Sequence, residues 1–479
     1  MLDFSLALRN IGRNRRRSAV TILAVAISCG GVSVFGGYAS WLFKAVEEQT
    51  VSAYGHVQIY KKGYYEFGTG NPAAYAIPDY EKLKQLIEQD PVISPSLQLV
   101  TGQILFNGMV TCTRTQSAST FAGLGVFPSD DAKMSDWNPY GITPAKDLPQ
   151  NARFFKGVPE LADDDVAGAS VGSGLAAVLR LNDNPSAKPT PAAAPPTQPS
   201  TPPAAPSTSG ADVDLNFLTS QSGPKDPEPA GKTSLDLLVS PPTGGLPNAT
   251  TINLRKVVPR ASKELEDTLI KLHVKHASNL LFPEQQLHVT AVILLLKQTK
   301  DTDAVLARVR ELIDTQKLDL EFKRWEEIRP FYKRMARMIT LIFDFVFVLL
   351  VVMVAFLIYN TQSAGIMERL GEIGTLRAMG VTRIGVWQML VAEGLLLGLI
   401  GGLAGVLLAI GADLGFKMVD ITYIPPTVSY YAKLEVLVLR DPVVLLQAFL
   451  GATLCSAVSA ALPARKAAHM EIVEALHHS

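Results

Sequence analysis

The residues of this 479-residue sequence with types suited to chemistry are few and scattered. Gly231-Lys232-Thr233 has the ending of a phosphate-binding loop. That loop needs a glycine five residues before the GK glycine, where Asp226 stands, together with a strand before it and a helix after it. The match is coincidental. His469, His477 and His478 lie close together near the C-terminal end, yet no HExxH or comparable ligand spacing occurs. Of the cysteines Cys29, Cys112 and Cys455, the first and last lie in apolar runs, so neither an intrachain disulfide framework nor a cysteine-based zinc site can be built. With no GxSxG, no HRD or DFG set and no Ser/His/Asp arrangement, the chain is expected to be no enzyme and to hold no metal or cofactor.

Two ionisable residues in apolar surroundings, Asp344 and Glu393, are more telling, because such groups in a membrane are functional or partner-seeking unless interfacial water solvates them. Between them lies Ser363 to Val386, SAGIMERLGEIGTLRAMGVTRIGV. Ile366, Leu370, Ile373 and Leu376 or Arg377 fall at helical spacing, while Glu368, Arg369, Glu372 and Arg377 supply alternating charge. This predicts a short amphipathic helix with Gly380 as its C-terminal cap. Periodicity alone fits an inert helix at a membrane surface as well as a docking helix.

The elements that would position these residues are membrane spans. The chain is 48% hydrophobic with mean hydropathy +0.20, and its 44 basic and 44 acidic residues balance, so no bulk attraction to nucleic acid or anionic lipid follows. Four apolar runs, at 18–43, 338–360, 387–410 and 443–462, are each long enough to cross a hydrocarbon core of ~30 Å. The first is too long for the apolar part of a cleaved signal peptide, which favours an uncleaved anchor. Asp441-Pro442 suits an N-cap followed by proline at the first helical position of the last span.

Arg9, Arg13, Arg15, Arg16 and Arg17 before the first span, Arg369, Arg377 and Arg383 between the second and third, and Arg465 and Lys466 after the fourth place both termini in the cytoplasm. Lys333, Arg334 and Arg337 vote against, weakly, because long segments translocate largely regardless of charge. The expected organisation is a cytoplasmic amphipathic segment 1–17, an outer domain 44–337, a cytoplasmic loop 361–386, a short outer loop 411–442 and a cytoplasmic tail 463–479.

The fold class is therefore membrane α-helical, with four spans and a large α+β domain between the first two. Within that domain, His56 to Lys61, His288 to Lys297 and Leu318 to Trp325 read as strands, and Asp79 to Gln89 and Asp301 to Gln316 as helices. Asn107-Gly108, in the middle of ILFNGMVTCT, predicts a hairpin turn. Glu326 to Met338 is expected to run as a helix straight into the second span. A proline-rich stretch within 182–233 has almost no large apolar residue and is expected to form a flexible insertion.

In the third span Gly394, Gly398 and Gly402 recur every four residues, with Gly401 and Gly405 on an adjoining face. Small-residue rows let helix backbones approach closely, within one subunit or between two. Ala26/Gly30 and Ser33/Gly37 in the first span offer a second such seam.

MERLGEIGTLRAMGVTRIGV, the following LVAEGLLLGLIGGLAGVLLA, the opening LALRNIGRNRRRSAVTILAVAIS and the closing LPARKAAHMEIVEAL each resemble the corresponding stretches of FtsX-like/MacB-type ABC transporter permeases, a mechanotransmitter group that includes the lipoprotein-releasing LolC and LolE proteins. The resemblance covers all four spans in order; the outer domain is less recognisable, apart from Gly168 to Leu181. It implies a bacterial inner-membrane permease subunit that dimerises with an identical or paralogous permease. Two copies of a separate cytoplasmic ATPase would bind ATP and magnesium, and a periplasmic carrier or adaptor and membrane lipid are further implied partners. It also implies that Met367, Glu368, Arg369, Glu372, Arg377 and Gly380 belong to the coupling helix that seats on the ATPase. A lipoprotein or other lipid-bearing substrate is the leading expectation. Peptide, toxin or drug efflux is the first alternative, and a regulator of a cell-wall hydrolase that transports nothing is an alternative of another class.

Overall fold

The computed structural model describes residues 12, 15–141, 157–181, 233–242, 244–258, 260, 263–283, 285–328, 330–419, 422–423, 432–433, 436 and 438–470. The proline-rich insertion, the lysine of Gly231-Lys232-Thr233 and most of the N-terminal segment fall outside them, as do the last nine residues of the tail.

Among the described residues, four helices are long and apolar enough to cross a membrane, and each outruns its apolar segment: span one Arg15–Tyr54, span two Pro330–Glu368, span three Arg383–Met418 and span four Pro442–His469. The overshoot follows from the flanking residues. Ala45, Glu47, Glu48 and Gln49 are good or fair helix formers, so span one continues for three turns past Phe43. The expected continuous helix into span two is seen as Trp325–Ile328 and Pro330–Glu368, with Arg329 outside the described residues.

Besides a short two-stranded ribbon, Thr422–Tyr423 with Ala432–Lys433, the described residues form a sheet of nine strands: β1 Val57–Lys61, β2 Leu97–Cys112, β3 Ser117–Val126, β4 Gly168–Gly172, β5 Ser234–Val239, β6 Asn248–Val258, β7 Leu269–His273, β8 Ala291–Leu296 and β9 Leu320–Arg324. Their order is β3-β7-β4-β6-β5-β2-β8-β1-β9, and β3 pairs back onto β2, so six strands close into a barrel. The long β2 serves two sheets. Its first half pairs with β8, from Leu97 to Gln103, and its second half pairs with β3, from Ile104 to Cys112. All six residues of β8 are buried, as an unbroken Ala-Val-Ile-Leu-Leu-Leu run between two strands should be.

The hairpin turn expected at Asn107-Gly108 is not there. The two residues lie in mid-strand opposite Ala122 and Phe121, and the chain reverses at Thr113 to Gln116 instead. Gly108 is small for another reason: a Cβ there would come within 2.6 Å of the Leu238 carbonyl oxygen and 2.8 Å of the Phe121 ring. The glycine lets β5 and the β3 aromatic close on β2.

Span one is built into this domain. Its helix ends at Tyr54, Gly55 turns the chain at φ +68°, and the His56 amide donates to the Leu294 carbonyl at 2.9 Å to begin the sheet. Val51 packs with Met134, Trp137, Ile293, Leu295 and Trp325 in one buried cluster. Trp325 opens the short helix before span two and donates its amide to the His56 carbonyl, so both connections are fastened at one place.

Candidate functional site

At the opposite end of the bundle, the helix of span two continues through Ile366 to Glu368 and the chain bends at Arg369, which caps a separate helix, Leu370–Ala378. The amphipathic helix read from the sequence is thus divided at Arg369. Its end is as expected: Gly380 adopts φ +99°, its amide donates to the Arg377 carbonyl, and the Val381 amide donates to the Leu376 carbonyl, both at 3.1 Å. This pair of bonds closes a helix with a left-handed residue that favours glycine. Thr382 then caps span three by accepting from the Gly385 amide at 3.2 Å.

The apolar stripe faces inward. Ile366 and Ile373 pack with Val386 and Leu390 of span three and with Ala464, Ala467 and Ala468 of span four. The six residues assigned to coupling separate into two groups. Met367, Glu368, Glu372 and Gly380 are exposed, with Met367 at 60%. Arg369 and Arg377 turn toward the bundle instead. Arg369 Nη1 lies 3.5 Å from Glu393 Oε2, and the Arg377 guanidinium donates to the Met470 carbonyl at the end of span four.

Glu393, which interfacial water could have solvated, is instead 8% exposed and set against Arg369. The sequence reading also missed Met379, 70% exposed, and Ile384, 68% exposed, on either side of the turn from Gly380 to Thr382. They lie off the helical stripe, so periodicity did not single them out. Among the described residues no three His, Cys, Asp or Glu side chains converge as a metal site would require.

The glycine rows lie against neighbouring helices of the same chain. A Cβ at Gly394, Gly398 or Gly402 would meet Ala460, Ser456 or Phe449 of span four at 2.4, 2.7 or 3.0 Å. Gly401 and Gly405 abut Val25 and Cys29 of span one. Gly30 faces the Gly405 carbonyl at 3.2 Å, and Gly37 faces Val436 and Val438. Span two is the least covered of the four; Met338, Leu341, Phe345, Val348, Val352, Phe356 and the carboxylate-bearing Asp344 are all exposed along it.

Residues 345–472 match the family model described as FtsX-like permease C-terminal, a stretch that runs from within span two, through the divided segment, to just past span four. Curated relatives include a macrolide export ATP-binding/permease protein MacB of Agrobacterium fabrum, 25% identical over 191 residues, and one of Bordetella avium, 30% identical over 151 residues. These matches cover 40% and 32% of this chain but only 28% and 21% of the relatives' own lengths. The matched C-terminal stretch contains both the divided helix and the spans that hold it, and over that stretch the chain is similar to permeases of the FtsX/MacB type.

Proposed function

We propose that this chain is the membrane subunit of an ABC transporter, in which a separate ATPase docks on the Leu370–Ala378 helix and its closure moves the sheet domain. The observation that carries this is that Met367 and Glu368 at the end of the span-two helix, Glu372 on the Leu370–Ala378 helix, and Met379 and Gly380 just after it are exposed, while Ile366 and Ile373 of the same segment pack into spans three and four. Apolar side chains and carboxylates exposed together on this segment fit a partner cleft with an apolar floor and a basic rim.

In this reading the divided helix and both termini are cytoplasmic, the sheet domain lies between the first two spans on the outer face of a bacterial inner membrane, and two ATPase copies serve a pair of permeases. The exposed face of span two, with Asp344, is left for the second permease, since a carboxylate facing lipid alone is costly. The substrate is lipid-bearing or otherwise hydrophobic. Nearness to the lipoprotein-releasing group is part of this proposal. Export of a macrolide-like compound is the second reading, favoured by the macrolide export for which the MacB relatives are named.

The test is purification of the tagged chain from native membranes in mild detergent, with mass spectrometry and an ATP hydrolysis assay. An ATPase recovered at equal stoichiometry and active is the expected result. Recovery of the chain without an ATPase across several detergents would overturn the reading.

A further inference from the structure

We infer that the Arg369–Glu393 pair is a joint that transmits motion from the docking helix to span three and is not itself part of the docking surface; the inference rests on the ATPase-docking reading above. Arg369 is the residue at which the helix of span two ends and the docking helix begins, with φ −111° and ψ 17°. Its side chain and that of Glu393 are 13% and 11% exposed and 3.5 Å apart. The far end of the docking helix is held through Arg377 on the Met470 carbonyl, and Ile366 and Ile373 fill the space between. The docking helix is therefore fastened to spans three and four, although span two precedes it in the chain.

Beyond the joint, close contacts continue toward the sheet. Span three meets span one at Gly401 on Val25 and at Gly405 on Cys29, the Ala26 carbonyl and the Gly30 amide. Span one then runs as one helix to Tyr54 and inserts Val51 among Ile293, Leu295 and Trp325. Span two lacks comparable cover, and the bend at Arg369 interrupts it at the docking end. Motion imposed on the docking helix thus reaches the sheet through spans three and one. A charged pair with little solvent around it suits a joint, because its members stay together under load: separating them leaves both charges buried without their partner.

The experiment uses the full chain purified with its ATPase and reconstituted in nanodiscs, comparing unaltered protein with Glu393→Gln, Glu393→Asp and the exchange Arg369→Glu with Glu393→Arg. Three quantities are read: ATPase recovered per chain, ATP hydrolysis, and the change in backbone hydrogen exchange at residues 48–61 when ATP and vanadate are added. Glu393→Gln is expected to keep ATPase recovery within twofold while losing most of the nucleotide-induced change, with Glu393→Asp intermediate and the exchange restoring at least half of it. An unchanged response in Glu393→Gln would overturn the inference, as would loss of ATPase recovery in parallel with the response. If Glu393→Gln does not fold, Glu393→Asp, which keeps the charge, decides on the same two criteria. Failure of the unaltered chain to bring down any ATPase would instead sink the docking reading on which the joint depends.

Discussion

The two ends of the helical bundle use similar devices to opposite effect. Each has an ion pair that ties helices together: Lys44 with Asp441, 3.3 Å apart at the sheet end, and Arg369 with Glu393, 3.5 Å apart at the other. At the junction of span one with the sheet the large apolar groups are covered within the chain, with Val51 fully buried and Trp325 only 2% exposed. At the docking end Met367, Met379 and Ile384 are uncovered. A junction already packed against its load needs no partner. Uncovered apolar side chains on an end that is held firmly support the docking proposed above.

The largest effect expected from that contrast is at Trp325. Trp325→Ala should destabilise the junction by about 3–5 kcal/mol, the usual result of emptying a large buried site. Met379→Ala at the docking end should change stability by no more than about 0.5 kcal/mol, as for an exposed residue. Hydrogen exchange of the full chain in detergent would compare them. Similar losses at both positions would abolish the distinction between a covered end and an open one.

Acid should also distinguish the two ends. His56 is fully buried beside the Trp137 ring; its Nδ1 accepts from the Leu296 amide at 3.0 Å and its Nε2 donates to Thr299 Oγ1 at 3.2 Å. Burial pushes its pKa down from 6.5 to about 3. The folded junction therefore holds the ring neutral while the unfolded chain takes up a proton below pH 6.5. Stability is fully present above that pH and falls by about 1.4 kcal/mol per unit as the pH drops toward 3. Between pH 7 and 5, exchange protection of β1 and β8 should fall by the equivalent of about 2 kcal/mol. His56→Gln should flatten that dependence, and a slope unaltered by the substitution would assign it to other groups.

The spans were legible because length and apolarity suffice to identify them, and the Gly380 cap because few residues other than glycine adopt a positive φ. The sheet domain was legible in its alternation but not in its closure. A barrel seam between β2 and β3 depends on contacts between residues whose spacing in the chain carries no signal of its own. The Asn107-Gly108 error shows the same limit, since a glycine required by a neighbouring ring and carbonyl has the same symbol as one required by a turn. Least legible was the buried charge cluster of the barrel, where Arg260 and Lys271 lie 2.6 and 3.0 Å from Glu160, Lys271 reaches Asp131 at 2.9 Å, and the Ser170 hydroxyl donates to Glu160. Burial opposes the charge on Glu160, but Lys271 and Arg260 outweigh it and hold the carboxyl below the usual carboxylate range. At the proposed docking site, the resemblance named six residues, but the direction each side chain takes was not legible in the sequence.

A smaller effect on stability is expected at the helix end. Gly380→Ala places a Cβ at φ +99° in open space, so only backbone strain opposes it, at about 1–2 kcal/mol. The docking helix should fray from its C-terminal end, visible as faster exchange at residues 376–381, while β1 and β8 remain protected. Faster exchange throughout the protein would mean that this cap supports more than the local helix.

The smallest effect on folding is expected where the effect on function is greatest. Arg377 is engaged with the Met470 carbonyl, so reversing its charge would disturb the bundle as well as the surface. Glu368 and Glu372 are exposed, and changing both to lysine should alter stability by less than about 1 kcal/mol, the range of surface ion pairs. A basic cleft that accepts these carboxylates would repel the lysines, since like charges brought together at an interface are strongly unfavourable. The double variant should therefore elute as the unaltered chain does in size-exclusion chromatography while recovering less than a tenth of the ATPase. Full recovery would move the docking contact away from this helix face, and the exposed methionines would then need another partner.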